Sequence, residues 1–353
     1  MPLLTRTVTA PLAVETHSGA IAHLGDLLAD RRISAGGDVA VVVGPGIGAR
    51  AAEQARQGLS RAEVITLAEG AGTHAGAMNL AEKLRSRNFD AVVGIGGGRV
   101  IDTAKYAAFQ QGMPMVSVPT SLANDGVASP LASLDRDGHS ISYGSHIPIA
   151  VIIDLDYVRE APVRQLASGV GDALSNLSAT ADWELSHSAT GEPIDGLAIA
   201  LARAGAEAVL RHPGALTDDD FLTSLANAHV LGGTAMAVAG SSLPCSGACH
   251  EIAHALQEQH PYVSTHGEQV AAGALLATFL RGDTALFAEM AAALRRHDLP
   301  RTPQDLGLTV DQFTAAVAYA PHTRPGRYTI LEHLALDVST LRARIMDFVD
   351  ELD

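Results

Sequence analysis

An α/β domain built on a parallel sheet, followed by an all-α domain, is the fold class this sequence predicts. Two patterns carry that reading. Short β-branched runs alternate with helical stretches as far as Asp154, and such alternation builds a parallel sheet covered on both faces. Beyond about Leu155 the strand signals stop and long Ala/Leu-rich helical stretches take over. A chain of 353 residues with 47% hydrophobic content is long enough for two cores of ordinary size, and the boundary falls near Asp154–Pro162. The expected domains are residues 1–157 and residues 158–353.

The first half reads element by element. Thr5–Glu15 alternates as a strand and leads into a helix over Ala20–Arg32. Asp38–Val43 is a buried strand ending in Gly44-Pro-Gly-Ile-Gly48, with a helix after it to about Gly58. Glu63–Leu67 and Asp90–Ile95 are further strands, with a helix over His74–Arg87 between them. A helix over Val100–Gln110 precedes a short strand, Met115–Val118. Turn residues at Asn124-Asp-Gly126 and Asp135-Arg-Asp-Gly138 mark an irregular region with a hairpin at Asp137-Gly138, and Ala150–Asp154 is the last strand. The second half predicts helices over Arg164–Ala181, Ile194–Leu210, Asp219–Ala239, Cys249–Gln259, Gln269–Leu280, Thr284–Arg296, Thr309–Ala318 and Val338–Glu351.

Composition excludes several function classes. The net charge is −15 and lysine occurs only at Lys83 and Lys105, so neither nucleic acid nor an anionic membrane is expected as partner. Apolar runs are short and broken, so no membrane-spanning helix is expected. The opening Met-Pro-Leu-Leu-Thr-Arg lacks the basic segment and apolar core of a signal peptide. Two cysteines make no disulfide framework, which fits a cytoplasmic location; Cys245 and Cys249 read as small core residues.

The chemistry gathers in a few stretches. Gly96-Gly97-Gly98 follows a strand and opens a helix, where backbone N–H groups and the positive end of the helix dipole suit a phosphate. Asp102 stands in the first turns of that helix. Pro119-Thr-Ser-Leu-Ala-Asn-Asp-Gly126 leaves the C-terminal end of another strand, the edge at which open α/β sheets bind ligands. His250 and His254 lie one helical turn apart and look into the same space, and His266 arrives from outside their helix. Catalytic metal sites use three protein ligands and keep a position for substrate. Asp172 in Gly171-Asp-Ala-Leu-Ser-Asn176 is a carboxylate in a mostly apolar helix, costly unless paired or bound to metal, and the histidines favour it as the anionic ligand.

His250-Glu-Ile-Ala-His254 also matches the H-E-x-x-H pattern of zinc peptidases, with His260 where a third ligand would stand. Gln257 occupies the place of the glycine that such a site needs for its turn. A peptidase also leaves the triple glycine and the α/β half unexplained.

Taken together, six motifs resemble the sn-glycerol-1-phosphate dehydrogenase family. They are Gly94-Ile-Gly-Gly-Gly-Arg-Val-Ile-Asp-Thr-Ala-Lys105, Pro119-Thr-Ser-Leu-Ala-Asn-Asp-Gly-Val-Ala-Ser-Pro130, Gly169-Val-Gly-Asp-Ala-Leu-Ser-Asn176, the His250/His254 helix, His266-Gly-Glu-Gln269 and Arg324-Pro-Gly-Arg-Tyr-Thr-Ile-Leu-Glu-His333. The family sits in a superfamily with glycerol dehydrogenase, iron-containing alcohol dehydrogenases and 3-dehydroquinate synthase. The resemblance implies a Rossmann-like N-terminal domain, a helical C-terminal domain of the dehydroquinate synthase type and an active site in the cleft between them.

Carried over residue by residue, it implies Zn2+ on Asp172, His250 and His266. Gly97, Gly98 and Asp102 would lie along the pyrophosphate of NAD or NADP, with Thr120, Ser121 and Ser129 near the rest of that cofactor. Asp125, Asp172 and His254 would face the substrate, and a homo-oligomer is expected. The implied reaction is NAD(P)H-linked reduction of dihydroxyacetone phosphate to sn-glycerol 1-phosphate. A dehydrogenase of the same fold acting on glycerol or another polyol is the alternative, and a cyclase of the dehydroquinate synthase type is disfavoured by the scarcity of lysine. Two departures stand out. Arg99 replaces a lysine common in the family, and no basic cluster marks a phosphate pocket. The Gly44-Pro45 turn carries no acidic residue that would exclude NADP.

Overall fold

The computed structural model describes residues 8–59, 61–67 and 71–352. The first six residues, read above as lacking a signal peptide, and residues 5–7 of the expected first strand lie outside the described residues. Contacts divide the chain into two compact units. The first comprises residues 1–122, 126–161 and 236–240; the second comprises residues 123–125, 162–235 and 241–353.

The first unit contains β1 (Ala13–His17), α1 (Leu24–Asp30), β2 (Val39–Val43), α2 (Ile47–Arg56), β3 (Glu63–Thr66), α3 (His74–Arg85), β4 (Ala91–Gly96) and α4 (Gly98–Gln110). It continues with β5 (Met115–Pro119), β6 (Leu131–Arg136), β7 (His139–Gly144), β8 (Ala150–Asp154) and α5 (Leu155–Val158). Six strands form a parallel sheet in the order β1-β8-β5-β4-β2-β3, and β6 and β7 form the antiparallel hairpin expected at Asp137-Gly138. The central strands β2, β4, β5 and β8 are buried along their whole length, so their Val/Ile runs serve two cores at once. Val39, Val41, Val43, Val93 and Ile95 face α1 and α2; Ala40, Val42 and Val92 face α3 and α4.

The expected first strand is shorter and later than its alternation suggested. β1 pairs with β8 only over Ala13–His17, where Ala150–Asp154 provides a partner. Its single expected helix divides into a 3-10 turn, Ala20–His23, and α1. Asp154 holds that corner, accepting the N–H groups of Gly19 and Ile21 at 3.0 Å each.

The second unit is helical: α6 (Val163–Thr190), α7 (Gly196–Arg211), α8 (Asp219–Ala239), α9 (Ala248–Gln259), α10 (His266–Arg281), α11 (Thr284–Arg296), α12 (Val310–Tyr319), α13 (Ile330–Leu334) and α14 (Val338–Asp350). The last residues of α8 group with the first unit. α6 runs nine residues past its expected end and stops where Gly191 takes the left-handed conformation at φ 79°. By length and composition α8 is apolar enough to cross a membrane, yet 61% of its most apolar window is buried within the chain, as in a core helix. Among the described residues no other helix reaches that length and apolarity.

α6 and α10 meet at a pair of glycines. A Cβ on Gly171 would stand 2.4 Å from the carbonyl oxygen of Gly267, and one on Gly267 would stand 1.9 Å from that of Ser168. Only glycine permits this approach, and it sets Asp172 beside the first turn of α10.

Candidate active site

In the first unit, β4 and β5 are neighbours, so the turns at their C-terminal ends emerge side by side. The N–H of Thr120 donates to the carbonyl of Gly96 at 2.9 Å, tying the two turns together. Gly97 is the N-cap of α4, and a Cβ built on it would meet nothing within 4 Å, which leaves a cradle of open space at the helix N-terminus. Gly98 opens the helix and is partly exposed. Thr120, Ser121 and Ser129 are buried nearby in sequence and fold, and the Ser121 hydroxyl has no partner among the described residues. This cradle fits the pyrophosphate of a dinucleotide.

Asp102, expected along the pyrophosphate, has both oxygens hydrogen-bonded within the unit. Its Oδ1 accepts from Lys105 Nζ at 3.1 Å and its Oδ2 from the N–H of Ser133 at 3.1 Å. Lys105, 1% exposed, also donates to the carbonyls of Gly126 and Leu131 at 2.6 Å each. The pair therefore secures the chain after the Thr120 turn to α4. Burial raises the Asp102 carboxyl above its usual range, against the lowering effect of Lys105.

The second unit brings Asp172, His250 and His266 together, with one donor atom from each within 4.8 Å of the others. Asp172 Oδ1 lies 3.9 Å from His250 Nε2 and 3.8 Å from His266 Nε2. Three elements deliver them. Asp172 follows the glycine contact on α6, His250 stands in the first turn of α9, and His266 is the first residue of α10. That last start is fixed by a capping box, in which Thr265 accepts from the N–H of Glu268 and the Glu268 carboxylate accepts from the N–H of Thr265. Arg164 grips the same carboxylate at 2.7 Å through two nitrogens.

The atoms turned away from the cluster are engaged too. Asp172 Oδ2 accepts the N–H of Asp125 at 3.0 Å, which leaves Oδ1 for the imidazoles. Gln257 reaches His266 Nδ1 at 3.0 Å, and the Cys249 thiol lies 3.4 Å from His250 Nδ1. Both rings thus present Nε2 inward, the arrangement that outer partners enforce on metal-binding histidines. Burial, then the Asp125 charge, raises Asp172 well above the usual carboxylate range. Burial, then the adjoining His266 and His254 imidazoles and the Arg324 and Arg327 charges, lowers His250 well below the imidazole range, and burial and Arg324 lower His266 to about 4. A buried carboxylate that needs a counter-charge and two imidazoles kept neutral are the donor set a divalent transition metal requires.

His254 lies on the face expected, with its ring centroid 6.4 Å from that of His250, and stands outside the three clustered donors. Its Nδ1 instead accepts from Arg324 Nε at 3.4 Å, so its proton sits on Nε2. Two residues that carried no pattern in the sequence also belong here. His229, 1% exposed, places Nδ1 3.9 Å from Asp172 Oδ2, and Gln257 supports His266.

The peptidase reading finds no support in this geometry. Glu251 is fully buried and accepts from Thr329 Oγ1 at 3.1 Å, while His260 caps the far end of α9 outside the cluster. Cys245 and Cys249 are buried free thiols, with Cys249 pushed up to about 12 by burial, and Trp183 packs with its Nε1 donating to the carbonyl of Pro193.

Residues 15–162 match the family model for iron-containing alcohol dehydrogenase. The chain is 38% identical over 249 residues to glycerol-1-phosphate dehydrogenase [NAD(P)+] of Methanospirillum hungatei, covering 70% of this chain and 69% of that protein. It is 33% identical over 329 residues to the enzyme of the same name from Staphylothermus marinus, covering 92% of each. Among solved structures, glycerol dehydrogenase from Schizosaccharomyces pombe superposes with a TM-score of 0.79 at 21% identity, covering 98% of this chain and 93% of that one. Maleylacetate reductase from a Rhizobium species superposes with a TM-score of 0.75 at 18% identity, covering 98% of both chains. The fold is that of the iron-containing alcohol dehydrogenases, and the chain belongs to the glycerol-1-phosphate dehydrogenase family, whose members are NAD(P)-dependent, metal-dependent oxidoreductases.

Proposed function

We propose that this enzyme interconverts dihydroxyacetone phosphate and sn-glycerol 1-phosphate with NAD(P)H and a zinc ion held by Asp172, His250 and His266. The observation that carries the reading is the convergence of those three donors within 4.8 Å in a chain of this family. Gly97, Gly98, Thr120, Ser121 and Ser129 bind the nucleotide, with Asp102 holding the adjoining chain in place. When bound, zinc supplies Lewis-acid polarisation of the ketone and NAD(P)H supplies the hydride.

The chain's own residues supply position and hydrogen bonds. Asp172 is oriented by the Asp125 amide, and His266 and His250 by Gln257 and Cys249. His254 presents its Nε2–H toward the substrate because Arg324 occupies its Nδ1. The Asp125 carboxylate faces the substrate hydroxyl. A cytoplasmic location belongs to the same reading, supported by two free thiols, and the homo-oligomer it includes is tested by light scattering.

The test is NAD(P)H oxidation by zinc-loaded protein against dihydroxyacetone phosphate, dihydroxyacetone, glyceraldehyde 3-phosphate and simple ketones. Dihydroxyacetone phosphate should give the highest kcat/KM. A preference for an unphosphorylated ketone would move the enzyme to the polyol branch of the superfamily. Loading with iron in place of zinc, followed by the same assay, decides the metal.

A further inference from the structure

The sequence shows no basic cluster, but the fold makes one. Two turns of chain after α12 carry Arg324 and Arg327, and both guanidinium groups are drawn onto one hydroxyl. Ser242 Oγ accepts from Arg324 Nη1 at 3.2 Å and from Arg327 Nη2 at 2.7 Å. Arg327 Nη1 also reaches the carbonyl of Ser246. The segment is pinned at both ends. Thr323 Oγ1 donates to the Glu251 carbonyl at 3.4 Å, and the N–H of Ile330 donates to Asp182 Oδ1 at 2.9 Å. Between them Gly326 takes φ 90°, which sets the turn that puts both arginines on one side.

These cations differ from the carboxylate-paired arginines of the second unit. Arg164, Arg203 and Arg281 each have a carboxylate at 2.6–2.7 Å. Among the described residues neither Arg324 nor Arg327 has a carboxylate within 4.0 Å; their bonds go to neutral serines, a carbonyl and an imidazole. Burial pushes Arg324 down to about 10, and the Arg327 charge beside it adds to the effect. A second observation points the same way. The Ser246 hydroxyl, on a residue 4% exposed, has no partner among the described residues although its own carbonyl meets Arg327. Two half-buried guanidinium forks that share one serine hydroxyl suit a tetrahedral oxyanion better than a planar carboxylate, which one fork would satisfy.

We propose that Arg324, Arg327, Ser242 and Ser246 form the subsite for the phosphomonoester dianion of the substrate. The inference rests on the reading that the substrate is a phosphorylated ketone. His254 links the two groups: its ring centroid lies 6.4 Å from that of His250, and its Nδ1 lies 3.4 Å from Arg324 Nε. Arg324 then does two jobs: it fixes the His254 tautomer and supplies charge to the phosphate.

The experiment compares zinc-loaded wild type with Arg327→Gln, Arg324→Gln and the conservative Arg327→Lys. Each is assayed with dihydroxyacetone phosphate and with dihydroxyacetone, and the readout is the ratio of the two kcat/KM values within each variant. A general folding defect cancels in that ratio. Loss of one fork should lower it on the order of 100-fold, mainly through KM, with Arg327→Lys keeping part of the preference. The inhibition constant of inorganic phosphate should rise in parallel. An unchanged ratio and unchanged phosphate inhibition in both glutamine variants would overturn the subsite. Wild type that ignores dihydroxyacetone phosphate yet binds inorganic phosphate through Arg327 would keep the subsite and refute the substrate. Wild type that binds neither would refute the subsite.

Discussion

Replacing Gly267 by alanine tests how the metal donors are brought together. The added Cβ would stand 1.9 Å from the Ser168 carbonyl oxygen, 2.5 Å from its carbon and 2.6 Å from its hydroxyl. Cβ atoms essentially never approach within 3.0 Å of such atoms, so α10 must retreat from α6 by at least about 1 Å. The retreat also strains the bond from the Gly267 N–H to Ser168 Oγ, now 3.1 Å. Overpacking of this kind costs about 3 kcal/mol of stability. It falls on the two helices that carry Asp172 and His266, now 3.8 Å apart donor to donor. Metal–ligand distances tolerate only about 0.2 Å, so affinity for the proposed zinc should drop at least tenfold, roughly the loss seen when a supporting partner of a ligand is removed. Chelator competition on folded protein measures that affinity, and thermal melting with and without zinc measures the stability. A Gly267→Ala protein with wild-type melting and wild-type zinc affinity would refute the claim that the glycine contact sets the donor spacing.

Three further outcomes follow from the geometry. His254→Ala should lower kcat by at least about tenfold while zinc stays bound, because His254 is outside the donor cluster; zinc loss on dialysis would show it to be a ligand. His297, 3% exposed and packed 4.7 Å from the Phe221 ring, is lowered by burial and by Arg296 to about 4 against an ordinary 6.5. The unfolded chain therefore binds the extra proton first, so stability present above 6.5 is lost as the pH falls toward 4; the loss is about 2 kcal/mol at pH 5. Urea melts of His297→Phe should show less of that acid sensitivity, and an identical pH dependence would contradict the assignment. Lys105→Met leaves the buried Asp102 Oδ1 and two carbonyls without their lysine donor, and should destabilise by about 3–5 kcal/mol; a change under about 1 kcal/mol in urea unfolding would contradict the anchoring role.

The parallel sheet was legible because its strands are short β-branched runs closed by glycine turns, and β8 and α8 start and stop where the residue pattern says. Helix ends were legible where a cap is written locally. Thr265 and Glu268 form a readable capping box, yet apolar periodicity alone places the start of α10 three residues late, at Gln269. Asp172, His250 and His266 follow from the motifs. What the motifs do not contain is the packing around them. Gln257 and His229 carry no spacing that announces a partner, and their contacts exist only once α8 packs against α6 and α9 against α10. Arg324 and Arg327 escaped for the same reason. A basic pocket made by residues some eighty positions from Ser242 leaves no run of charge in the sequence.

Asp182 touches neither the metal donors nor Arg324 or Arg327, yet it governs both. Its Oδ2 accepts the N–H of Ala248 at 2.9 Å, where the histidine helix begins. Its Oδ1 accepts the N–H of Ile330 at 2.9 Å, where the arginine segment ends, and Arg281 at 2.7 Å. One carboxylate thus clamps two ligand-bearing segments to α6. In a genetic screen, lesions at Asp182 would masquerade as lesions of the proposed metal and phosphate sites, from a position that meets neither.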